Sequence, residues 1–116
     1  MTNINDDYSA KRPEGAIATA NADNALVTAT HSAVSGKHHY ITSLSGGFSA
    51  PVGGALLVLK DGATEIGRWY VHNGIDLNFA DAPLKCTPGN AVSAELAASG
   101  TLGVIGAVNV TLYTSS

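Results

Sequence analysis

Residues 91–114 read AVSAELAASGTLGVIGAVNVTLYT and carry the clearest structural signal in this chain. Apolar and polar side chains alternate along both halves of this stretch, and alternate residues of a β-strand point to opposite faces of a sheet. Each half therefore has one apolar face and one polar face, which is typical of strands in a half-buried antiparallel sheet. The inward-facing sets predicted from this parity are Val92, Ala94, Leu96 and Ala98 in the first half and Val104, Val108, Val110 and Leu112 in the second.

The rest of the chain contains similar short runs, rich in Val, Leu, Ile, Thr and aromatic residues and separated by Gly, Asn, Asp and Pro. Such spacing is typical of an all-β protein. We predict a single-domain antiparallel β-sandwich of Greek-key or jelly-roll type over residues 15–116, preceded by an extended N-terminal arm over residues 1–14. Strands are expected near residues 16–20, 25–31, 37–46, 55–60, 64–72, 75–80, 91–99 and 103–114.

Two turns and one crossover are predicted between these strands. Asp61-Gly62 and Asn73-Gly74 are the sequences that favour type I′ hairpin turns, so residues 55–80 are expected to form a three-stranded meander. The proline-containing segment 81–90 is expected to cross from one sheet to the other, as Greek-key and jelly-roll topologies require.

Composition excludes several functional classes. Only 13% of the 116 residues are charged, about half the usual share, so few charges oppose association with other proteins. The net charge of −3, with six Lys and Arg and no basic cluster, argues against a nucleic-acid partner. Residues 55–59, the longest apolar run, are too few to span a membrane, and the polar, acidic start lacks the features of a signal peptide. With Cys86 as its one cysteine the chain forms no intramolecular disulfide, and we expect it to be made in a reducing cytosol.

No catalytic or cofactor motif emerges, so we expect neither enzymatic activity, nor a cofactor, nor a metal. His38 and His39 are adjacent on a strand and point to opposite faces. His31 and His39 face each other if residues 33–36 form a hairpin loop, yet two imidazoles fall short of the ligand set of zinc. Cys86 has no histidine beside it in the sequence, which favours a small apolar filler over a nucleophile.

Two features point instead to protein contacts. Residues 55–59 are apolar on both faces, so the outer face of this strand either meets another subunit or lies under a loop. On the strand near 64–72, parity buries Trp69 and places Arg68, Tyr70 and His72 together on the exposed face, a combination typical of interfaces. Trp69, Tyr70, Tyr40 and Phe48 would alternatively form a sugar-stacking platform, but parity leaves too few of them exposed for that.

Five stretches between residues 36 and 114 resemble a group of small β-sandwich proteins encoded beside the structural genes of tailed bacteriophages. They read GKHHYITS (36–43), LKDG (59–62), WYVH (69–72), LKCTPGNAVSAEL (84–96) and GAVNVTLY (106–113). Proteins of this group resemble capsid decoration, or cement, proteins, which bind the outer surface of the major capsid shell and clamp neighbouring subunits, often as trimers.

The resemblance implies a virion protein on the capsid surface, made in the host cytoplasm, whose partners are the major capsid protein and copies of itself, with a homotrimer favoured. Contacts are expected from the arm through Asn3, Ile4, Tyr8 and Arg12 and from the sandwich through the row containing Tyr70. Two alternatives stay open: a phage tail or fibre module that binds a host surface glycan, and a small metal-dependent cupin-like protein.

Overall fold

The computed structural model describes residues 15–116, which form nine β-strands and no helix. The eight predicted strands are all present, and one short strand, β7, lies inside the segment predicted to be irregular. The strands are β1 (Gly15–Asp23), β2 (Val27–His31), β3 (His38–Phe48), β4 (Ala55–Asp61), β5 (Thr64–Val71), β6 (Gly74–Asn78), β7 (Leu84–Lys85), β8 (Val92–Leu96) and β9 (Ile105–Ser115).

The strands form two antiparallel sheets. Sheet A has the order β1-β9-β3-β6, with β7 pairing on β3, and sheet B has the order β2-β8-β4-β5. The predicted all-β sandwich is therefore confirmed. Within residues 15–116 there is no helix with the length and apolar character needed to cross a bilayer.

The core lies between the two sheets and is built from alternate residues of their strands. Sheet B contributes Leu57, Leu59 and Leu96, and sheet A contributes Leu44 and Leu112, all with almost no exposed surface. The parity predicted for residues 91–114 holds in both strands. Val92, Ala94, Leu96, Val108, Val110 and Leu112 are all buried. The two remaining members of the predicted sets lie outside these strands: Val104 is half-buried against the core, whereas Ala98 is exposed, so its predicted inward orientation is wrong.

The predicted meander over residues 55–80 is wrong. β4 and β5 form a hairpin, but β6 lies in the other sheet, paired with β3 from Gly47↔Gly74 to Ser43↔Asn78. Two backbone hydrogen bonds hold the connecting segment against the end of β3 and the loop after it, from Phe48 N to Asn73 O at 2.7 Å and from Val52 N to His72 O at 2.6 Å. A Cβ on Gly47 would lie 2.8 Å from Asn73 O, so glycine permits this close approach.

Both predicted type I′ turns are also wrong. Asp61 pairs with Thr64 across a two-residue loop, Gly62 and Ala63, in which only Gly62 has positive φ (62°). Positive φ at the first loop residue alone is the type II′ pattern. Neither Asn73 nor Gly74 has positive φ, because the chain there passes between sheets instead of reversing within one.

Candidate functional site

The outer face of sheet B presents an exposed tyrosine and an exposed arginine on β5. Tyr70 is 68% exposed, Arg68 lies two residues before it on the same face of β5, and Trp69 points inward against the core. This orientation agrees with the prediction from parity. Leu56 lies directly opposite Tyr70 on β4 and is half-buried. We call Leu56, Arg68 and Tyr70 the tyrosine patch.

Charged side chains on this face are paired. Arg68 donates to Glu65 through both Nε (3.3 and 3.2 Å) and Nη2 (2.8 Å). This hydrogen bonding lowers the pKa of the Glu65 carboxyl and raises the pKa of the Arg68 guanidinium. Lys60 forms an ion pair with Glu95. The guanidinium beside Tyr70 is therefore already oriented in the free protein.

Val58, on the outer face of the two-sided apolar run, is already buried within the single chain. The strand is central in sheet B, and Val58 lies in register between Glu95 and Arg68 on the outer face. It is only 9% exposed within a single chain. Within the single chain, the long side chains of Glu95 and Arg68 are the groups beside it on that face. Contact of this face with another subunit stays a prediction.

The aromatic platform that the sequence analysis set aside is not formed. Phe48 is buried between the sheets, Trp69 faces inward, and Tyr40 and Tyr70 lie on the outer faces of opposite sheets. His72 is exposed just after β5, where its ring lies beside Gly54. A Cβ on Gly54 would lie 3.2 Å from His72 Cε1.

A pair of stacked tyrosines, which the sequence analysis did not predict, lies on the outer face of sheet A. Tyr40 and Tyr113 are directly opposite on β3 and β9, and their rings stack with centroids 4.9 Å apart and planes 11° apart. They line a depression of about 720 Å³ together with Thr42 and Ser115. Gly15, the β1 neighbour of Tyr113, has no side chain to fill it. The alternation in the sequence predicted that Tyr113 faces outward, but it did not identify Tyr40 as its neighbour on β3.

Three histidines gather at one end of the sandwich. The His31 and His39 rings lie 6.2 Å apart between their centroids. They approach each other from β2 and β3, which belong to different sheets, and not across the hairpin loop considered from the sequence. His38 points to the opposite face, as adjacent residues on a strand must, and donates from Nδ1 to Cys86 O at 2.7 Å.

The ring nitrogens of His39 are occupied by hydrogen bonds. Nε2 donates to the Ser32 carbonyl at 2.9 Å, so Nδ1 of the neutral ring accepts from the Thr114 hydroxyl at 2.7 Å. His31 Nε2 donates to Val110 O at 2.8 Å. Residues 15–116 contain no group of three His, Cys, Asp or Glu side chains arranged to hold a metal ion. The histidines act here as links between strands.

Asp61 fastens the crossover segment to the β4–β5 hairpin. Its Oδ2 accepts from the amide and the hydroxyl of Thr87, each at 2.9 Å, and its Oδ1 accepts from Asn90 Nδ2 at 3.1 Å. Burial opposes ionisation of this carboxyl, but these hydrogen bonds outweigh it and hold the pKa of Asp61 below its ordinary value.

We expect Asp61→Asn to lower the free energy of unfolding at neutral pH by about 1 kcal/mol. One carboxylate oxygen would be replaced by the side-chain NH2 of asparagine, which cannot accept the hydrogen bond that Thr87 or Asn90 donates there. A carboxyl with a lowered folded-state pKa stabilises the fold above its ordinary pKa, and that contribution disappears as the pH falls. The difference between wild type and variant should therefore shrink as the pH drops below 3.8. Urea unfolding at several pH values measures it. A difference that stays constant from neutral to acid pH would contradict this role.

Cys86 is a buried thiol, 2% exposed, and burial, reinforced by the charge of Asp61, raises its pKa to about 11. The thiolate is the reactive form, so the native thiol should be nearly inert to disulfide reagents at mildly alkaline pH. We expect slow labelling in buffer and rapid stoichiometric labelling in denaturant, followed by absorbance or mass. Equal rates in the two conditions would show that Cys86 is accessible.

The predicted contact residues Asn3, Ile4, Tyr8 and Arg12 fall in residues 1–14, outside the described part of the chain. The sandwich residues of the same set are all exposed, but exposure alone does not identify a partner. Their role in protein contacts stays a prediction.

No family model matches this sequence, and no curated protein does. Solved structures similar to it include the CBM36-1 domain of a multidomain xylanase from the hindgut metagenome of Trinervitermes trinervoides, at 15% identity and a TM-score of 0.45 over 89% of this chain and 98% of that one. They also include the virus-like particle of the extra small virus of the giant freshwater prawn Macrobrachium rosenbergii, at 13% identity and a TM-score of 0.33 over 85% of this chain and 78% of that one. Neither likeness assigns a function to this chain.

Proposed function

We propose that this protein is a bacteriophage capsid decoration protein that binds the outer surface of the major capsid shell and stabilises it. We assign it no catalytic role. The observation that carries it is the tyrosine patch, an arginine and a two-thirds exposed tyrosine on a strand backed by the core. Tyr and Arg are enriched among residues that dominate binding energy at protein interfaces.

The side chains of the patch favour a protein partner. Arg68 is hydrogen-bonded to Glu65 on the surface and presents its guanidinium next to Tyr70, where a partner can cover both. A standard interface buries roughly 1,600 Å² in total. Many copies joining neighbouring capsid subunits would strengthen the shell by avidity. The expected trimer, and the expected contacts from residues 1–14, belong to this proposal.

The test mixes the purified protein with expanded capsids that lack it, from the phage that encodes it. We expect stoichiometric density on the capsid surface and greater heat stability of the particle. Tyr70→Ala should weaken capsid binding about ten-fold or more, because truncation removes an exposed anchor at little expense to the fold.

The matched control is Tyr113→Ala, which removes a tyrosine from the opposite outer face of the sandwich and should leave capsid binding unchanged. Absence of binding by the wild-type protein at micromolar concentration would reject the proposed function. Equal loss from both variants would reject the tyrosine patch as the binding surface.

One observation favours a second candidate, a tail or fibre module that binds a host glycan. The stacked Tyr40 and Tyr113 rings border a depression with the hydroxyls of Thr42 and Ser115 at its rim. An aromatic ring face with nearby hydroxyls suits the apolar face and polar edge of a pyranose. This candidate requires saturable binding of a neutral glycan, measured by calorimetry, that Tyr113→Ala abolishes and Tyr70→Ala leaves intact.

A further inference from the structure

The edge strands of the two sheets differ in how they are protected. Within residues 15–116, sheet A ends at β1 and at β6 with β7, while sheet B ends at β2 and at β5. An edge strand exposes unpaired N–H and C=O groups that another chain can join. Proteins protect such edges with short strands, charged residues, prolines or bulges.

Among the edges formed by residues 15–116, every one except β1 has such protection. β2 and β6 have five residues each, and β7 has two. β5 is longer, but its register with β4 shifts between Leu59 and Lys60, and it carries the charged pair Glu65 and Arg68. These strands offer little straight, neutral backbone to a partner.

β1 has none of these features. Its nine residues pair with β9 without a register shift from Gly15↔Tyr113 to Asp23↔Ile105. It contains no proline, and Asp23, its last residue, is its only charge. Its inward-facing side chains are all alanine, and three of them are only half-buried at the open flank of the sandwich. These three are Ala18, Ala20 and Ala22.

We propose that β1 pairs antiparallel with β1 of a second copy of this chain, about a two-fold axis at Thr19. Only this centre pairs all nine residues of the strand. It sets alanine against alanine on the inner face and Thr19 against Thr19 on the outer face. Each Asp23 lies opposite a Gly15, so no like charges meet. A self-complementary contact of this kind is what a two-fold interface requires.

Capsid binding through the tyrosine patch does not depend on this contact, but a two-fold dimer would replace the homotrimer that the resemblance implies. β1 packs over β2, which lies at the opposite edge of sheet B from β5. The tyrosine patch on β4 and β5 is therefore remote from the paired edge. A copy joined through β1 keeps that patch free for another partner.

The test is the oligomeric state of the full chain by analytical ultracentrifugation over micromolar concentrations, with a dimer expected. Thr19 is exposed, so Thr19→Lys leaves the monomer unstrained but brings two ammonium groups together across the axis. We expect its dimer dissociation constant to rise about five-fold or more. Thr19→Glu should weaken the dimer similarly, and an equal mixture of the two variants should restore it as a heterodimer.

The control is Thr64→Lys, which makes the same change at an exposed threonine on β5, at the other flank, and should leave the dimer unchanged. A monomer at every concentration, a trimer, or a dimer insensitive to Thr19→Lys and Thr19→Glu would each overturn the inference. None of these outcomes depends on whether the protein binds capsids.

Discussion

Replacing Leu57 with alanine is expected to lower the free energy of unfolding by about 2–5 kcal/mol. Leu57 is completely buried and projects from β4 toward Gly46 of the opposite sheet. A Cβ built on Gly46 would lie 3.4 Å from Leu57 Cδ2, so the leucine fills the space above a residue that has no side chain. Since glycine has no side chain to move into the cavity, we expect a value in the upper part of this range.

Leu56→Ala is the matched control. It is the same substitution one residue earlier on the same strand, but Leu56 lies half-buried on the outer face. We expect a loss of about 1 kcal/mol from its smaller buried area. Urea unfolding followed by Trp69 fluorescence measures both variants, provided their m-values agree with that of the wild type. Equal losses would show that the inward orientation of Leu57 is wrong.

His39→Ala is expected to lower the free energy of unfolding by about 2–4 kcal/mol. The His39 side chain joins the segment after β2 to the end of β9 through Ser32 and Thr114, and it is 2% exposed. The variant removes both hydrogen bonds, leaves a carbonyl and a hydroxyl without their partner, and opens a cavity. Chemical denaturation reports the total effect.

His38→Ala provides the comparison for His39→Ala. His38 is half-buried on the opposite face of β3 and makes one side-chain hydrogen bond, to Cys86 O. We expect a loss of about 1 kcal/mol, the usual net value of one such bond. If His38→Ala proved as destabilising as His39→Ala, the buried links to Ser32 and Thr114 would not be the source of the stabilisation.

Strand positions and their buried faces were predictable because both depend on local sequence. Val92 and Leu96, for example, lie on one face of β8 for the same reason in any fold that buries one side of that strand. The same reasoning placed Tyr70 and Arg68 outward and Trp69 inward. What it missed was β7, whose two residues are too few to show any alternation.

Side-chain alternation predicted one residue of the stacked tyrosine pair, but it did not predict the pair itself. Parity turned Tyr113 outward, and the pairing of β3 with β9 then set it opposite Tyr40. These residues are far apart in the sequence, and nothing local to either specifies the other. Parity was enough to set aside the aromatic platform, since it turned Trp69 inward, but only the sheet topology shows that Tyr40 and Tyr70 lie on opposite sheets.

The sequence by itself determined that the chain forms short strands, which side chains of each strand point inward, and that few charges oppose contact with other proteins. Only the tertiary structure decided which strands are neighbours, that the chain crosses between sheets after Val71, and that β1 is an edge strand left unprotected by the other residues of the described range 15–116. The physical reason is the distance along the sequence over which each interaction acts. Side-chain alternation is set between residues two apart, whereas the partner of a strand is selected by backbone hydrogen bonds and core packing across the whole sandwich.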